Sequence, residues 1–164
     1  NQNPVMNAYT FGYDEPYTVV LTSSLVEKLS KTEIKAVIGH EMGHVLFGHV
    51  RIISLMSTQF GPGRLLFYKW SRSCEYSADS VALIASRGDL IPLISSLLKL
   101  TWGLDNFVDV EEFLAQVDGD SGTLSMEVFS THPFMNNRIK NLIRLARQKE
   151  FREKMKHMDP RDLP

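Results

Sequence analysis

Residues 30–46 constrain the fold more than any other stretch. Ser30-Lys31-Thr32-Glu33 has the form of a capping box. The Ser30 hydroxyl can accept from the first turn of a helix while the Glu33 carboxylate reaches back to the Ser30 N–H. Ile34, Val37, Ile38, Met42, Val45 and Leu46 follow at the 3.6-residue period of an amphipathic helix. Inside it lies His40-Glu41-Met42-Gly43-His44. Two imidazoles four residues apart on a helix point the same way, one turn above the other, and can share one metal ion. The glutamate after the first histidine then stands beside the ion's open position, where a carboxylate can act as general base. Taken alone, the five residues could also be a helix with two surface histidines and a surface glutamate. A third ligand and an electrophile decide between the two.

The elements around this helix predict an α+β fold, mostly helical, as one domain over residues 1–164. Val5–Gly12 and Tyr17–Thr22 are rich in β-branched and aromatic residues and flank a turn-like Gly12-Tyr13-Asp14-Glu15-Pro16, so they read as a hairpin. Ser23–Leu29 reads as a short helix. The box helix is expected to continue until Gly61-Pro62-Gly63 breaks it. Arg64–Ser86 reads as a second long helix ended by Gly88, and Asp89 can cap a third with Pro92 in its first turn, running to about Thr101. Trp102–Val108 reads as a loop and Val110–Val117 as a short helix closed by Asp118–Gly122. A last helix is expected from Pro133 to Lys156, followed by a fraying tail.

A catalytic metal ion takes three protein ligands and keeps one position open. His49 lies five residues after His44, about 140° further round a helix of 3.6 residues per turn, and cannot share the ion while that helix continues. Metzincin spacing would need a glycine at 47 and a histidine at 50, where this chain has Phe47 and Val50. His49 is read as a packed or capping histidine. Glu75 and Asp79 form an i,i+4 pair on the second long helix. If that helix packs on the first, Glu75 can ligate the ion and Asp79 can accept a hydrogen bond from a ligand histidine's other ring nitrogen. The alternative is a solvated surface pair with Arg72; Glu111 and Glu112 are the fallback ligands. Cys74 reads as a buried small residue.

Composition narrows the partners. The chain is 43% hydrophobic and 23% charged with a net charge of −1, and no basic patch argues for nucleic acid. A lone cysteine excludes an internal disulfide framework. No apolar run approaches the roughly 20 residues that span a bilayer, and no signal segment is seen. The chain opens on Asn1 rather than Met, so it is expected to be excised from a longer protein. With one cysteine and no signal segment, the expected location is the cytoplasm or the cytoplasmic face of a membrane, with the periplasm as the alternative.

Four blocks in order resemble the HtpX-type and CAAX prenyl protease family of zinc metallopeptidases, a gluzincin pattern. They are Asn7-Ala8-Tyr9; Gly39–His44 with His49; Glu75-Tyr76-Ser77-Ala78-Asp79; and Ser130-Thr131-His132-Pro133 with Arg138. The resemblance implies a zincin-like fold with one Zn2+ per chain on His40, His44 and Glu75, and Glu41 as base. It implies that the strand carrying Asn7, Ala8 and Tyr9 lines the substrate cleft. His132 and Arg138 would face the active site and help hold the oxyanion or the carboxylate ligand. On residues alone, His132 fits equally the N-cap of the last helix, and Arg138 a structural ion pair near Glu75 or Asp79. The implied activity is endoproteolysis of unfolded or misfolded polypeptide by zinc-activated water. Membrane relatives carry hydrophobic hairpins between the two helices. Here Arg51–Ser73 holds no spanning segment, so membrane association is expected only through segments outside this chain. The competing readings are a latent or non-proteolytic, chaperone-like zinc module and a plain helical domain without metal.

Overall fold

In the computed structural model, which describes residues 5–12, 15–56, 64–102, 110 and 133–159, the predicted hairpin is strands β1 (Ala8–Phe11) and β2 (Thr18–Leu21). They pair antiparallel with Ala8 opposite Leu21 and Phe11 opposite Thr18. Strand alternation turns Ala8 and Thr10 inward and leaves Tyr9 and Phe11 exposed. Thr22 then does two jobs. Its hydroxyl accepts from Leu25 N at the start of α1 (Ser23–Lys28) and from Asn7 N at 3.0 Å, while Thr22 N donates to Asn7 O, also at 3.0 Å. The backbone entering β1 is thereby pinned to the first helix.

The capping box forms as its sequence predicts. In α2 (Lys31–Leu46), Ser30 Oγ accepts from Glu33 N at 3.3 Å, and Ser30 N donates to Glu33 Oε2 at 2.7 Å. Glu33 does more than cap. It is buried and also accepts from Lys99 Nζ at 2.8 Å and from the Ser95 hydroxyl, joining α2 to α5 (Leu90–Trp102). α5 itself starts as expected, with Asp89 Oδ1 accepting from Ile91 N at 3.0 Å.

Two expected helix limits are corrected. α2 does not run to Gly61; it stops at Leu46, and α3 (His49–Met56) follows separately. Gly48 sits at φ +67, the left-handed conformation that closes helices and that residues with a Cβ resist. The apolar stripe continues through Val50 and Ile53, which is why the pattern reads as one helix. The last helix likewise divides into α6 (Pro133–Arg147) and α7 (Lys149–His157). Gln148 is extended, and the bend lets Phe151 and Met155 fold back over the turn at Gly88. No breaker residue marks that bend, because packing rather than propensity produces it.

The second long helix, α4 (Arg64–Ala85), lies antiparallel against α2 along a seam of small residues. A Cβ on Gly39 would stand 2.7 Å from Ala85 Cβ, and one on Gly43 would stand 2.7 Å from Ala78 Cα. The main core, built from α2, α4, α5 and α6, closes beside this seam around Leu83, Leu93, Ile94, Ile139 and Leu142, all 1% exposed or less. No helix among the described residues is long and apolar enough to cross a membrane.

Two substitutions test this framework. Gly43→Ala forces the seam apart and should cost about 1–3 kcal/mol in chemical denaturation; a neutral result would mean the helices are not in backbone contact. Glu33 is held below the ordinary value of 4.5: burial alone would raise it, but Lys99, Ser95 and Ser30 outweigh burial. Its contribution is therefore present above that ordinary value and lost as pH falls through the depressed folded one. Glu33→Gln should cost about 1–3 kcal/mol at neutral pH, with variant and wild type converging below about pH 4. A gap that does not change with pH would contradict this role.

Candidate metal centre

The box on α2 and the acidic pair on α4 meet across the small-residue seam. His40 and His44 turn their Nε2 atoms to within 3.1 Å of each other. Glu75 presents Oε2 at 3.5 Å from His40 Nε2 and Oε1 at 3.6 Å from His44 Nε2. Among the described residues these three form the group that could hold a metal ion. The spacing suits one: a tetrahedral ion with bonds of about 2.0–2.2 Å separates its ligand atoms by about 3.3–3.6 Å. Two imidazole nitrogens and a carboxylate that turns one oxygen to each of them, opening on a cleft, fit a four-coordinate divalent ion with one position left free.

The far side of His40 is held by charge. Its Nδ1 lies 3.0 Å from Asp79 Oδ1, and Asp79 is fully buried. Arg138 from α6 grips the same carboxylate with both arms, Nε to Oδ2 at 2.8 Å and Nη2 to Oδ1 at 2.6 Å. Its third nitrogen, Nη1, lies 3.1 Å from Glu75 Oε2. Arg138 thus meets both carboxylates. Burial would raise Asp79 and Glu75, but Arg138 and His40 hold both carboxyls below their ordinary values. Burial likewise opposes a proton on His40, yet its hydrogen bonds to Asp79 and Glu75 win and raise it to about 9. His44 goes the other way, to about 4, through burial and the neighbouring charge of His40.

Glu41 follows about 100° further round the helix from His40 and lines the same cleft. It is 9% exposed, and its Oε2 accepts from the Thr10 hydroxyl of β1 at 2.7 Å. Both residues line a cleft of about 430 Å3 together with His40, His44, Glu75 and Arg138. One wall of this cleft is the continuous run Asn7–Phe11, which includes Asn7, Ala8 and Tyr9. The Asn7 side chain turns back on its own strand, its Oδ1 accepting from Ala8 N at 2.9 Å. The floor is apolar, from Val37, Leu93, Leu97 and Leu100.

His132, Glu111, Glu112 and the segments expected as a loop and a short helix after Trp102 lie outside the described residues. Cys74 is buried as expected, and burial, then the charge of Glu75, pushes its thiol up. Thr10 was not anticipated, although its inward position in the strand alternation was available as a signal. The angular exclusion of His49 fails, because it assumed a continuous helix. His49 is nevertheless outside the ligand group: its Nδ1 lies 3.2 Å from His44 Nδ1, on the ring edge away from the other ligands.

The model of Peptidase family M48 matches residues 1–62 and 55–146. A protease HtpX homolog of Helicobacter pylori is 30% identical over 85% of this chain and 57% of its own length. The plastoglobule-localized metallopeptidase 48 of Arabidopsis thaliana is 34% identical over 70% of this chain and 38% of its own length. A protease HtpX homolog of Moorella thermoacetica is 29% identical over 91% of this chain and 66% of its own length. The chain therefore spans about one to two thirds of each of these curated relatives. No solved structure matches it.

A metal at His40 Nε2 must displace the proton held there below about pH 9. Apparent metal affinity should rise about tenfold per pH unit between roughly pH 5 and 8, one proton being released per ion. Competition against a chelator of known protonation behaviour measures this. An affinity flat across that range would show that His40 is already neutral.

Proposed function

The chain belongs to Peptidase family M48, and from that premise we propose that it is a zinc-dependent metalloendopeptidase acting on unfolded or misfolded polypeptide. The observation that carries the reading is the convergence of the box, Glu75 and the strand run Asn7–Phe11 on one cleft. His40, His44 and Glu75 would hold the zinc. Asp79 would fix His40, and Arg138 would hold Glu75 and Asp79 in place. When bound, zinc supplies a Lewis acid that polarises the scissile carbonyl and makes water acidic enough to deprotonate near neutral pH. Glu41 would take the proton of the attacking water and deliver it to the leaving amine, with Thr10 steering the carboxylate. His132, on the family resemblance, would stabilise the oxyanion.

The substrate would lie extended along β1. That strand pairs with β2 on one side, and the two form a two-stranded sheet among the described residues. Its other edge has backbone groups to offer, and the cleft is lined by all four residues of the strand together with Asn7 before it. Strand addition gives affinity through main-chain hydrogen bonds and asks little of the side chains. This suits a substrate class defined by being unfolded rather than by sequence.

The test is cleavage of casein by the wild type and Glu41→Gln, each with its zinc content measured. Wild type should hold about one zinc and cleave; Glu41→Gln should keep its zinc and lose about 10²–10⁴-fold in rate. Cleavage undiminished in Glu41→Gln would sink the mechanism. A wild type that holds zinc and cleaves nothing would point instead to a latent or non-proteolytic module.

A further inference from the structure

His49 stands outside the ligand group, yet its ring is wedged against it. The residue opens α3 directly after the Gly48 turn and is 7% exposed. Phe47 stacks on it with centroids 5.7 Å apart, and Trp70 meets it edge-on at 6.0 Å. Its Nδ1 lies 3.2 Å from His44 Nδ1, and its Nε2 lies 3.4 Å from Ser77 Oγ.

The proton positions along this chain follow from its two ends independently. At one end, the Ser77 hydroxyl donates to Cys74 O at 3.0 Å and Ser73 O at 3.1 Å. Its only hydrogen is committed there, so towards His49 it offers a lone pair, and His49 Nε2 carries the hydrogen. A neutral imidazole has one N–H, so His49 Nδ1 is an acceptor. At the other end, His44 turns Nε2 towards His40 and Glu75, where a metal needs a lone pair. Its hydrogen therefore sits on Nδ1. Donor meets acceptor at 3.2 Å without either end having been adjusted to the other. A doubly protonated His49 would set N–H against N–H and break the chain.

We propose that His49 is the positioning residue for the second metal-binding histidine: its Nδ1 accepts from His44 Nδ1–H, fixing the tautomer and ring plane in which His44 Nε2 faces the metal. The inference rests on the reading of His40, His44 and Glu75 as the zinc ligands. His49 plays for His44 the part Asp79 plays for His40, but as a neutral partner. His49 itself does not reach the ion, because it meets His44 on the edge opposite Nε2.

The test compares zinc affinities, by competition with a chromogenic chelator, for wild type, His49→Phe, His49→Asn and His40→Ala. Phenylalanine keeps the ring's packing against Phe47 and Trp70 but has no acceptor; asparagine puts a carbonyl oxygen near the place of Nδ1. His49→Phe should weaken zinc about 10–100-fold, the usual effect of removing such a partner, and His49→Asn should recover most of that loss. Thermal melts of the metal-stripped proteins separate this from a general folding defect. If His40→Ala binds zinc like wild type, the ligand assignment itself is wrong. If His40→Ala loses zinc while His49→Phe keeps wild-type affinity, or His49→Asn is as weak as His49→Phe, the ligand assignment stands and the role of His49 is overturned. A measurement on the unaltered protein gives a second route. Long-range 1H–15N spectra of the zinc-loaded wild type should show His44 protonated at Nδ1, and protonation at Nε2 would overturn the inference without any variant.

Discussion

How closely two helix backbones approach decides whether this site exists. Helices with ordinary side chains at their contact pack with axes about 8–10 Å apart. Gly39 and Gly43 on α2 face Ala78, Ala82 and Ala85 on α4, so each backbone lies against the other's small residues. The carboxylates on α4 are short, and they reach the imidazoles because of that contact. Gly39 and Gly43 share the four-residue spacing of His40 and His44, one position earlier. One stripe of α2 is therefore spent on close approach, and the adjacent stripe presents the histidines. Glu75 and Asp79 repeat the same spacing on the antiparallel partner, so Glu75 spans both Nε2 atoms while Asp79, shorter by one methylene, takes Nδ1 of His40.

Such a seam brings buried charge with it, and the charge has to balance. Asp79 is fully buried and could not stay ionised alone. Arg138 answers both Asp79 and Glu75, and the raised His40 supplies the second positive charge. With His40 protonated, these four groups sum to zero. Exchange of one proton for a divalent ion leaves the same residues one unit positive, facing a cleft that Glu41 also lines. Under the proposed function, that sign would favour an anion developing beside the ion. Arg138 is therefore an ion-pair partner of both carboxylates, and under the proposed function the same guanidinium would also contribute to the electrostatics of the site.

Features whose cause is local were legible in the sequence. The capping box at Ser30, the cap at Asp89 and the alternation in Ala8–Phe11 each depend on a few neighbouring residues, and each forms. The pairing of Glu75 with the box was legible at one remove: an i,i+4 acidic pair means little until a metal box supplies a reason for it. The break at Gly48 was marked by a glycine and still missed, because the hydrophobic period carries on across it. The bend at Gln148 had no mark at all, since it arises from Phe151 and Met155 packing on a distant turn. Extra partners such as Lys99 for Glu33 and Thr10 for Glu41 are contacts across 66 and 31 positions, which no local pattern encodes.

The break at Gly48 also changes what α2 can do. A continuous helix would carry residue 49 about 140° away from His44 and leave the far nitrogen of that ring to solvent or to α4. Stopping at Leu46 and restarting at His49 swings the next imidazole back across the ring of His44, where the two meet edge to face at 5.2 Å. The two histidines of the box consequently have unlike neighbours, an ionised carboxylate behind one and a neutral ring behind the other. A second carboxylate behind His44 would have added another buried negative charge to a cluster whose cations are already committed to Asp79 and Glu75. A neutral acceptor orients the ring without that charge. The left-handed glycine that ends the helix is thus part of how the site stays electrically balanced.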